Sequence, residues 1–537
     1  MKKLSHIELF AGCGGMSLGL ETSGFELYFA NELSPMAGET FSYNLMGEDL
    51  RKLADIGQPA ENVLWIKSSY EKTDLRNRLR ENPFTFEKGK HFDLDKKTDL
   101  AGKLLIGNID HLLNFLAHNK SICQHLRNQD IDLVSGGPPC QSFSLAGRRE
   151  KDNHKNLLPL SFARFAGLIK PKMVLLENVK GITSAFTVGD KKYYAWLEVA
   201  KAFCLEGFVP ICMMVNSKFF GIPQNRPRFI LLALRKDICR ELLKVKLEQA
   251  SIDILTSSFN FFNIVQENKK SLDFVSKKDL RLYDIEKEPH LFNGQLLPLI
   301  ITTKENFVSS KEAIDDLSVN NNYVLEGIKP SSYVVNLNEI FKQKDNSRSY
   351  ELTNHELRKH SFGVKARFRW FQLVSSNLNG LAPHALRLLA GKHVSDEKLS
   401  LIFEKVQGEE VLIKQIKDEA LVKLNRQNFG DFIKSIQTKK HSQRALRATE
   451  PAPAQLTIPD DLCHYSQTQL RTLTVREMAR FQSFPDWFQF KSKVTTGGDQ
   501  RSFEVPQYTQ VGNAVPPLLA YELGKTVSRL LTRLKNG

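Results

Sequence analysis

Between residues 5 and 235, seven short apolar runs recur with helix-like segments between them, and this alternation constrains the fold more than any other feature of the chain. The runs are His6–Phe10, Leu27–Asn31, Lys103–Ile109, Ile131–Ser135, Met173–Leu176, Ile211–Asn216 and Phe229–Leu234. Helix-like stretches at Gly15–Ser23, Met36–Leu45, Leu158–Ile169 and Tyr193–Leu205 separate several of them. Short apolar strands alternating with helices predict a mostly parallel, Rossmann-like α/β sheet with helices on both faces. Ligand chemistry in such a sheet sits at the carboxyl ends of the strands. Residues from about 47 to 102 are charged and weakly patterned and read as an insertion between strands. The expected organisation is an α/β domain over 1–236, a separate region over 237–469, and a return to the first domain over 470–537.

Charge narrows the choice of partner. Lys and Arg number 75 against 60 Asp and Glu, a net +15, which favours a polyanion, nucleic acid before a membrane surface. The segment Lys365-Ala-Arg367-Phe-Arg369-Trp370-Phe371 concentrates that charge among aromatics; a DNA-binding patch and a solvated helix face are equally compatible with it. None of the 7 cysteines forms a C-x-x-C pair, so no metal is expected, and their scatter suits a reducing compartment. His6 and Glu8 interrupt the apolar run behind the opening lysines, which argues against a signal peptide. No run approaches the ~18 apolar residues of a membrane span, so a cytoplasmic protein is expected.

Four motifs fall where the strands end. Glu8-Leu-Phe10-Ala-Gly12-Cys13-Gly14-Gly15 follows the first strand; glycines there let a ligand approach the backbone and a helix N-terminus. Glu32 closes the second strand, as a partner for ribose hydroxyls or as a solvated strand-end charge. Gly136-Gly137-Pro138-Pro139-Cys140-Gln141 holds a cysteine on a rigid loop, the setting of a nucleophile more than of a core thiol. The basic run Gly147-Arg148-Arg149-Glu150-Lys151 behind it suits a phosphate backbone. Glu177-Asn178-Val179 ends the fifth strand and either faces the same crevice or is salt-bridged there. Gln224-Asn225-Arg226-Pro227-Arg228 enters the last strand with two arginines on one side of an extended backbone, a good carboxylate clamp.

In this order, and completed by Arg471-Thr-Leu473-Thr474-Val-Arg476-Glu477 and Gln510-Val-Gly512-Asn513-Ala-Val515-Pro516-Pro517, the series resembles the DNA (cytosine-5) methyltransferases of bacterial restriction-modification systems. The likeness covers roughly 5–235 and 470–530 and implies the Rossmann-like mixed sheet of S-adenosylmethionine-dependent methyltransferases, with helices on both faces, plus a separate target-recognition domain. It implies that Cys140 attacks carbon 6 of a cytosine flipped out of double-stranded DNA and that Glu177 holds the ring's N3 and exocyclic amine. Arg228 would touch the cytosine, with Arg226 in the same motif either beside it or structural. The S-adenosylmethionine pocket would be lined by Phe10, Gly12, Cys13, Gly14, Gly15, Glu32, Leu33, Asn108, Ile109, Pro139, Asn513 and Val515. The region 237–469 would read the target sequence. The resemblance further implies a monomer and a cognate restriction endonuclease as functional partner.

The chain departs from the family pattern in three places. Glu8 stands where Asp is more common, Gly107-Asn108-Ile109 stands for Gly-Asp-Ile, and Lys151–Asn156 lacks a customary arginine, with Lys155 a possible replacement. An Asn carbonyl can still accept from the adenine amine, so Asn108 predicts weaker cofactor binding at most. A tRNA methyltransferase of the same family would have a far shorter region between Arg228 and Arg471. A silent DNA-binding protein would not require Cys140, Glu177 and Arg228 together, and a nicotinamide dehydrogenase leaves Pro-Pro-Cys-Gln unexplained.

Overall fold

The computed structural model describes residues 3–139, 154–188, 191–320, 323–324, 327–343, 351–414, 419–438, 443–455 and 457–536. Its centre is a nine-stranded sheet. The strands are β1 (Leu4–Leu9), β2 (Phe25–Glu32), β3 (Val63–Trp65), β4 (Lys103–Ile106), β5 (Leu133–Gly136), β6 (Met173–Val179), β7 (Phe208–Asn216), β8 (Pro227–Arg235) and β9 (Leu282–Asp284). Their spatial order is β9-β7-β8-β6-β5-β1-β2-β4-β3. Every pairing is parallel except those of β8, which runs antiparallel to both β6 and β7. All of β5 and β7 is buried, which is why these strands read as unbroken apolar runs.

The helices used below are α1 (Gly15–Thr22), α2 (Pro35–Phe41), α3 (Ile109–His118), α4 (His154–Ile169), α5 (Ala195–Leu205), α6 (Gln249–Glu267), α7 (Phe362–Ser376), α8 (Val475–Phe481), α9 (Gln507–Asn513) and α10 (Pro517–Asn536). The expected helix to Leu45 is cut at Phe41 and passes into one π turn, Ser42–Met46, that Gly47 ends at φ 71°. The third apolar run stops as a strand at Ile106, because Gly107 at φ 150° turns the chain and Asn108 caps α3. The charged stretch between β2 and β4 carries an edge strand, β3, and a small core around Phe41, Trp65 and Phe86. Arg78, 1% exposed, pairs with Asp93 at 2.7 Å there and lies over the Trp65 ring.

Two larger cores divide the rest. The first unites the sheet with Leu242, Phe261, Phe262, Tyr283 and Leu337, and with the chain from Leu473 to Leu531. The second gathers Ala366 to Ile436 around Trp370, joined by Ala445 and Cys463. The chain between β8 and residue 341 therefore packs with the sheet, and the second core begins only at α7. α10 lies so close to α1 that a Cβ on Gly19 would stand 2.4 Å from the Pro517 carbonyl oxygen.

Candidate active site

The turn after β1 is built from left-handed backbone: Phe10 at φ 56°, Gly12 at 55° and Gly14 at 96°. Glu32 braces it, accepting the Gly12 N–H at 2.8 Å through Oε2 and the Ser34 N–H at 2.8 Å through Oε1. Burial raises the Glu32 pKa, and those N–H groups oppose the rise. The carboxylate thus shapes the turn as well as facing it. At Gly14 a Cβ would meet Leu45 at 2.6 Å, and at Gly15 the Val515 carbonyl oxygen at 2.4 Å, so both positions exclude side chains. Phe10, half-buried, leans on Phe162 with ring centroids 6.3 Å apart. The Cys13 thiol is buried, donates towards the Gln510 carbonyl at 3.8 Å, and is pushed up in pKa by burial. Leu33 packs at the edge of the small core. Ile109 is buried, whereas Asn513 is exposed at the end of α9.

Below the turn lies Glu8, 2% exposed, whose carboxyl takes the Ser17 hydroxyl from α1. Burial pushes its pKa up to about 8, against the pull of Ser17. The β4–α3 junction carries Asn108, half-buried, whose side-chain oxygen accepts the Asp110 N–H at 2.9 Å.

A second group forms where β5 and β6 end and β8 begins. Gly136 allows Leu9 to approach, since a Cβ there would lie 2.3 Å from its carbonyl oxygen; one on Gly137 would stand 3.3 Å from Glu177 Oε2 and 3.8 Å from Val515 Cγ2. The Asn178 amide donates to the Pro138 carbonyl at 3.0 Å, tying the proline turn to the end of β6. Pro139 is exposed at the end of this turn. Cys140, with residues 141–153, lies outside the described residues. Glu177 and Arg228 are both largely buried and pair at 2.8 Å between Oε1 and Nε. They meet because β8 is reversed: Arg228 stands opposite Val179, so the start of β8 lies at the carboxyl edge of its neighbours.

Arg226 is placed differently. It is 2% exposed, and its guanidinium donates to the carbonyls of Gly512 at 2.9 Å and Ala514 at 3.2 Å, with longer bonds to Gln455 and Gln224. Burial lowers its pKa well below the usual arginine value. Its described bonds stitch the start of β8 to the segment that carries Asn513 and Val515.

The C-terminal return is held by charged groups that sequence reasoning did not single out as partners. Arg471 donates to Glu477 at 2.8 and 2.7 Å, and Thr474 and Glu477 form a capping box on α8. Arg480 pairs with Asp486 and Asp316. Asn354, at φ 63°, exchanges two hydrogen bonds with the Phe490 backbone at 2.9 Å each, fastening the approach to α7 onto this segment. The basic patch on α7 also divides. Arg369 is buried and spent on Glu409 and the Glu410 carbonyl, whereas Arg367 has no hydrogen bond or ion pair among the described residues.

A glycine turn, a carboxylate paired with arginine beside a Pro-Pro turn, and a C-terminal segment closing over both invite comparison with known proteins. The family model for C-5 cytosine-specific DNA methylase matches residues 4–64 and 108–529. The chain belongs to that family.

As a DNA cytosine methyltransferase it is 26% identical over 525 residues to the type II methyltransferase M.DdeI of Desulfomicrobium norvegicum, covering 97% of this chain and 88% of that protein. To M.XorII of Xanthomonas oryzae pv. oryzae it is 23% identical over 98% of this chain and 85% of that one. Among solved structures, the S. pombe Dnmt2 methyltransferase aligns with 98% of this chain and 99% of its own at 14% identity, with a TM-score of 0.41. Residues 65–107 of the methyltransferase lie outside the family match. Among its described residues no helix is long and apolar enough to cross a membrane.

Proposed function

We propose that this DNA methyltransferase uses S-adenosylmethionine to methylate carbon 5 of a cytosine flipped out of double-stranded DNA, with Cys140 as nucleophile. The observation that carries this reading is the buried Glu177–Arg228 pair, seated at 2.8 Å beside the turn that leads into Cys140. A carboxyl group there suits the N3 and amine edge of a cytosine, and Arg228 keeps it in place. Extrusion of the base costs a few kcal/mol of stacking.

The cofactor fits the glycine turn by one test of shape: a Cβ on Gly12, at φ +55°, would meet nothing within 4 Å, leaving open space next to the Glu32 carboxylate. Phe10, Gly12, Cys13, Gly14, Gly15, Glu32, Leu33, Asn108, Ile109, Pro139, Asn513 and Val515 would hold or frame it. Bound there, it supplies an electrophilic methyl group. The Cys140 thiolate adds to carbon 6 and converts the ring to an enamine, nucleophilic at carbon 5. Once carbon 5 carries the methyl, loss of its proton and elimination of the thiolate restore the aromatic ring. Arg226 acts in this scheme as a scaffold, holding the Gly512–Ala514 backbone where the pocket closes.

The second core, from α7 to Cys463, would carry the base-reading surface within the 237–469 region. A cytoplasmic monomer that protects DNA from a cognate restriction endonuclease completes the reading. The test is nucleoside mass analysis of unmethylated plasmid DNA and of tRNA after incubation with S-adenosylmethionine and either wild type or Cys140→Ala. 5-Methyldeoxycytidine from wild type alone, with cofactor binding kept in the variant, is the expected result. A product in tRNA alone would overturn the choice of substrate. No product in either, with cofactor bound, would leave a DNA-binding protein.

A further inference from the structure

The Asn108 side chain cannot be turned freely. Its contact with the Asp110 N–H at 2.9 Å needs an acceptor, so the amide oxygen must face the helix and cap α3. The amide nitrogen then occupies the other branch. It makes no hydrogen bond among the described residues, and Asn108 is half-buried rather than enclosed. A carboxylate at this position would cap the helix with one oxygen and present the second as an acceptor. The amide presents two N–H donors in its stead. The same junction is held rigidly: Gly107 donates to the Glu32 carbonyl at 2.9 Å, and a Cβ on it would strike Ile66 at 2.8 Å.

We infer that Asn108 offers a donor to the edge of the cofactor's base, so that this side chain reads a ring nitrogen of the adenine and not its exocyclic amine. The inference rests on the proposed cofactor site and departs from the expectation, drawn from the resemblance, that the Asn carbonyl stands in for the carboxylate. Adenine carries a donor at its 6-amine and an acceptor at the adjacent ring nitrogen. A donor from the protein is matched only by the second. Removing the amine should then cost this protein little, whereas a protein with a carboxylate at position 108 should feel its loss.

The experiment is calorimetric binding of S-adenosylhomocysteine and of its 6-deamino analogue, which keeps the ring nitrogen, to the full chain and to Asn108→Asp. Asp is as good a helix cap as Asn, so the variant keeps its fold. The expected result is less than about threefold difference between the two ligands for wild type, and about tenfold or more in favour of the amine for Asn108→Asp, the effect of one hydrogen bond to a charged group. Asn108→Asp should also bind S-adenosylhomocysteine more tightly than wild type. A tenfold or larger loss on deamination in wild type would overturn the inference while leaving the cofactor site intact. Failure of S-adenosylhomocysteine to bind either protein would overturn the cofactor reading, and the inference with it.

Discussion

Replacing Glu477 by Gln should cost the protein roughly 3 to 5 kcal/mol of stability, the usual range for breaking a buried ion pair from one side. The carboxylate is 0% exposed and accepts both Arg471 Nη atoms, at 2.8 and 2.7 Å, together with the Thr474 N–H at 2.8 Å. Burial by itself would raise its pKa; Arg471, by charge and by hydrogen bonds, outweighs burial and brings it from 4.5 down to about 2. His464 is itself lowered to about 4 by burial, so at neutral pH the arginine carries the effect. A depression from 4.5 to about 2 is of the order of 3 kcal/mol, the same order as the first figure.

The sign follows from linkage. A carboxylate with a depressed folded pKa contributes its full stability above the unfolded value of 4.5, and loses it as pH falls through that value towards about 2. By pH 3 less than about half of the contribution should remain. Urea unfolding of wild type and Glu477→Gln at pH 7, 5, 4 and 3 measures this: the gap should be constant from 7 to 5 and then narrow. A double variant with Arg471→Met should be less damaged than Glu477→Gln alone, because it leaves no charge buried. A gap under about 1 kcal/mol at pH 7, or one that does not change between pH 5 and 3, would refute the reasoning.

Glu8 predicts the opposite slope. Its folded pKa is raised from 4.5 to about 8, so wild type should lose roughly 4 to 5 kcal/mol as pH climbs through that window, and Glu8→Gln should flatten the curve of Tm against pH; parallel curves would show that Glu8 is not the group responsible. For the basic face of α7, Arg367→Ala should weaken DNA binding and reduce the slope of log affinity against log salt by about one. Arg369→Ala should instead lower the melting temperature, since its guanidinium is engaged with Glu409; an unchanged salt slope in Arg367→Ala would take that arginine out of the interface.

Much of this molecule could be read from its pattern, and the exceptions have physical causes. Strands buried on both faces leave plain apolar runs, and all seven such runs are strands of the sheet. β3 and β9 were not foreseen, because three residues are too few to show any period. An apolar run carries no direction, so although the resemblance implied a mixed sheet, the pattern could not show that β8 is the reversed strand, the reversal that brings Arg228 to the edge where Glu177 ends. The resemblance already favoured Arg228 over Arg226 for the base, but no letter showed where Arg226 goes, because its bonds run to carbonyls 286 and 288 positions away. Asn354 carried no signal beyond being an Asn, since its role depends on a left-handed backbone and on the Phe490 backbone 136 positions away. At Asn108 the resemblance suggested an acceptor for the cofactor, and only the cap on α3 shows which branch of the amide faces the helix.

The pocket wall formed by Gly512–Val515, and the packing of α10 on α1, give the order of synthesis a meaning. On the ribosome the glycine turn emerges early, but its Val515 neighbour and the carbonyls that hold Arg226 arrive after residues 237–469 have all been made. A nascent chain would therefore carry all nine strands of the sheet from Asp284 onward, for roughly 200 residues more, before Val515 reaches the glycine turn. If residues 237–469 read the target sequence as proposed, the site would be completed only after the part that chooses the sequence has been made.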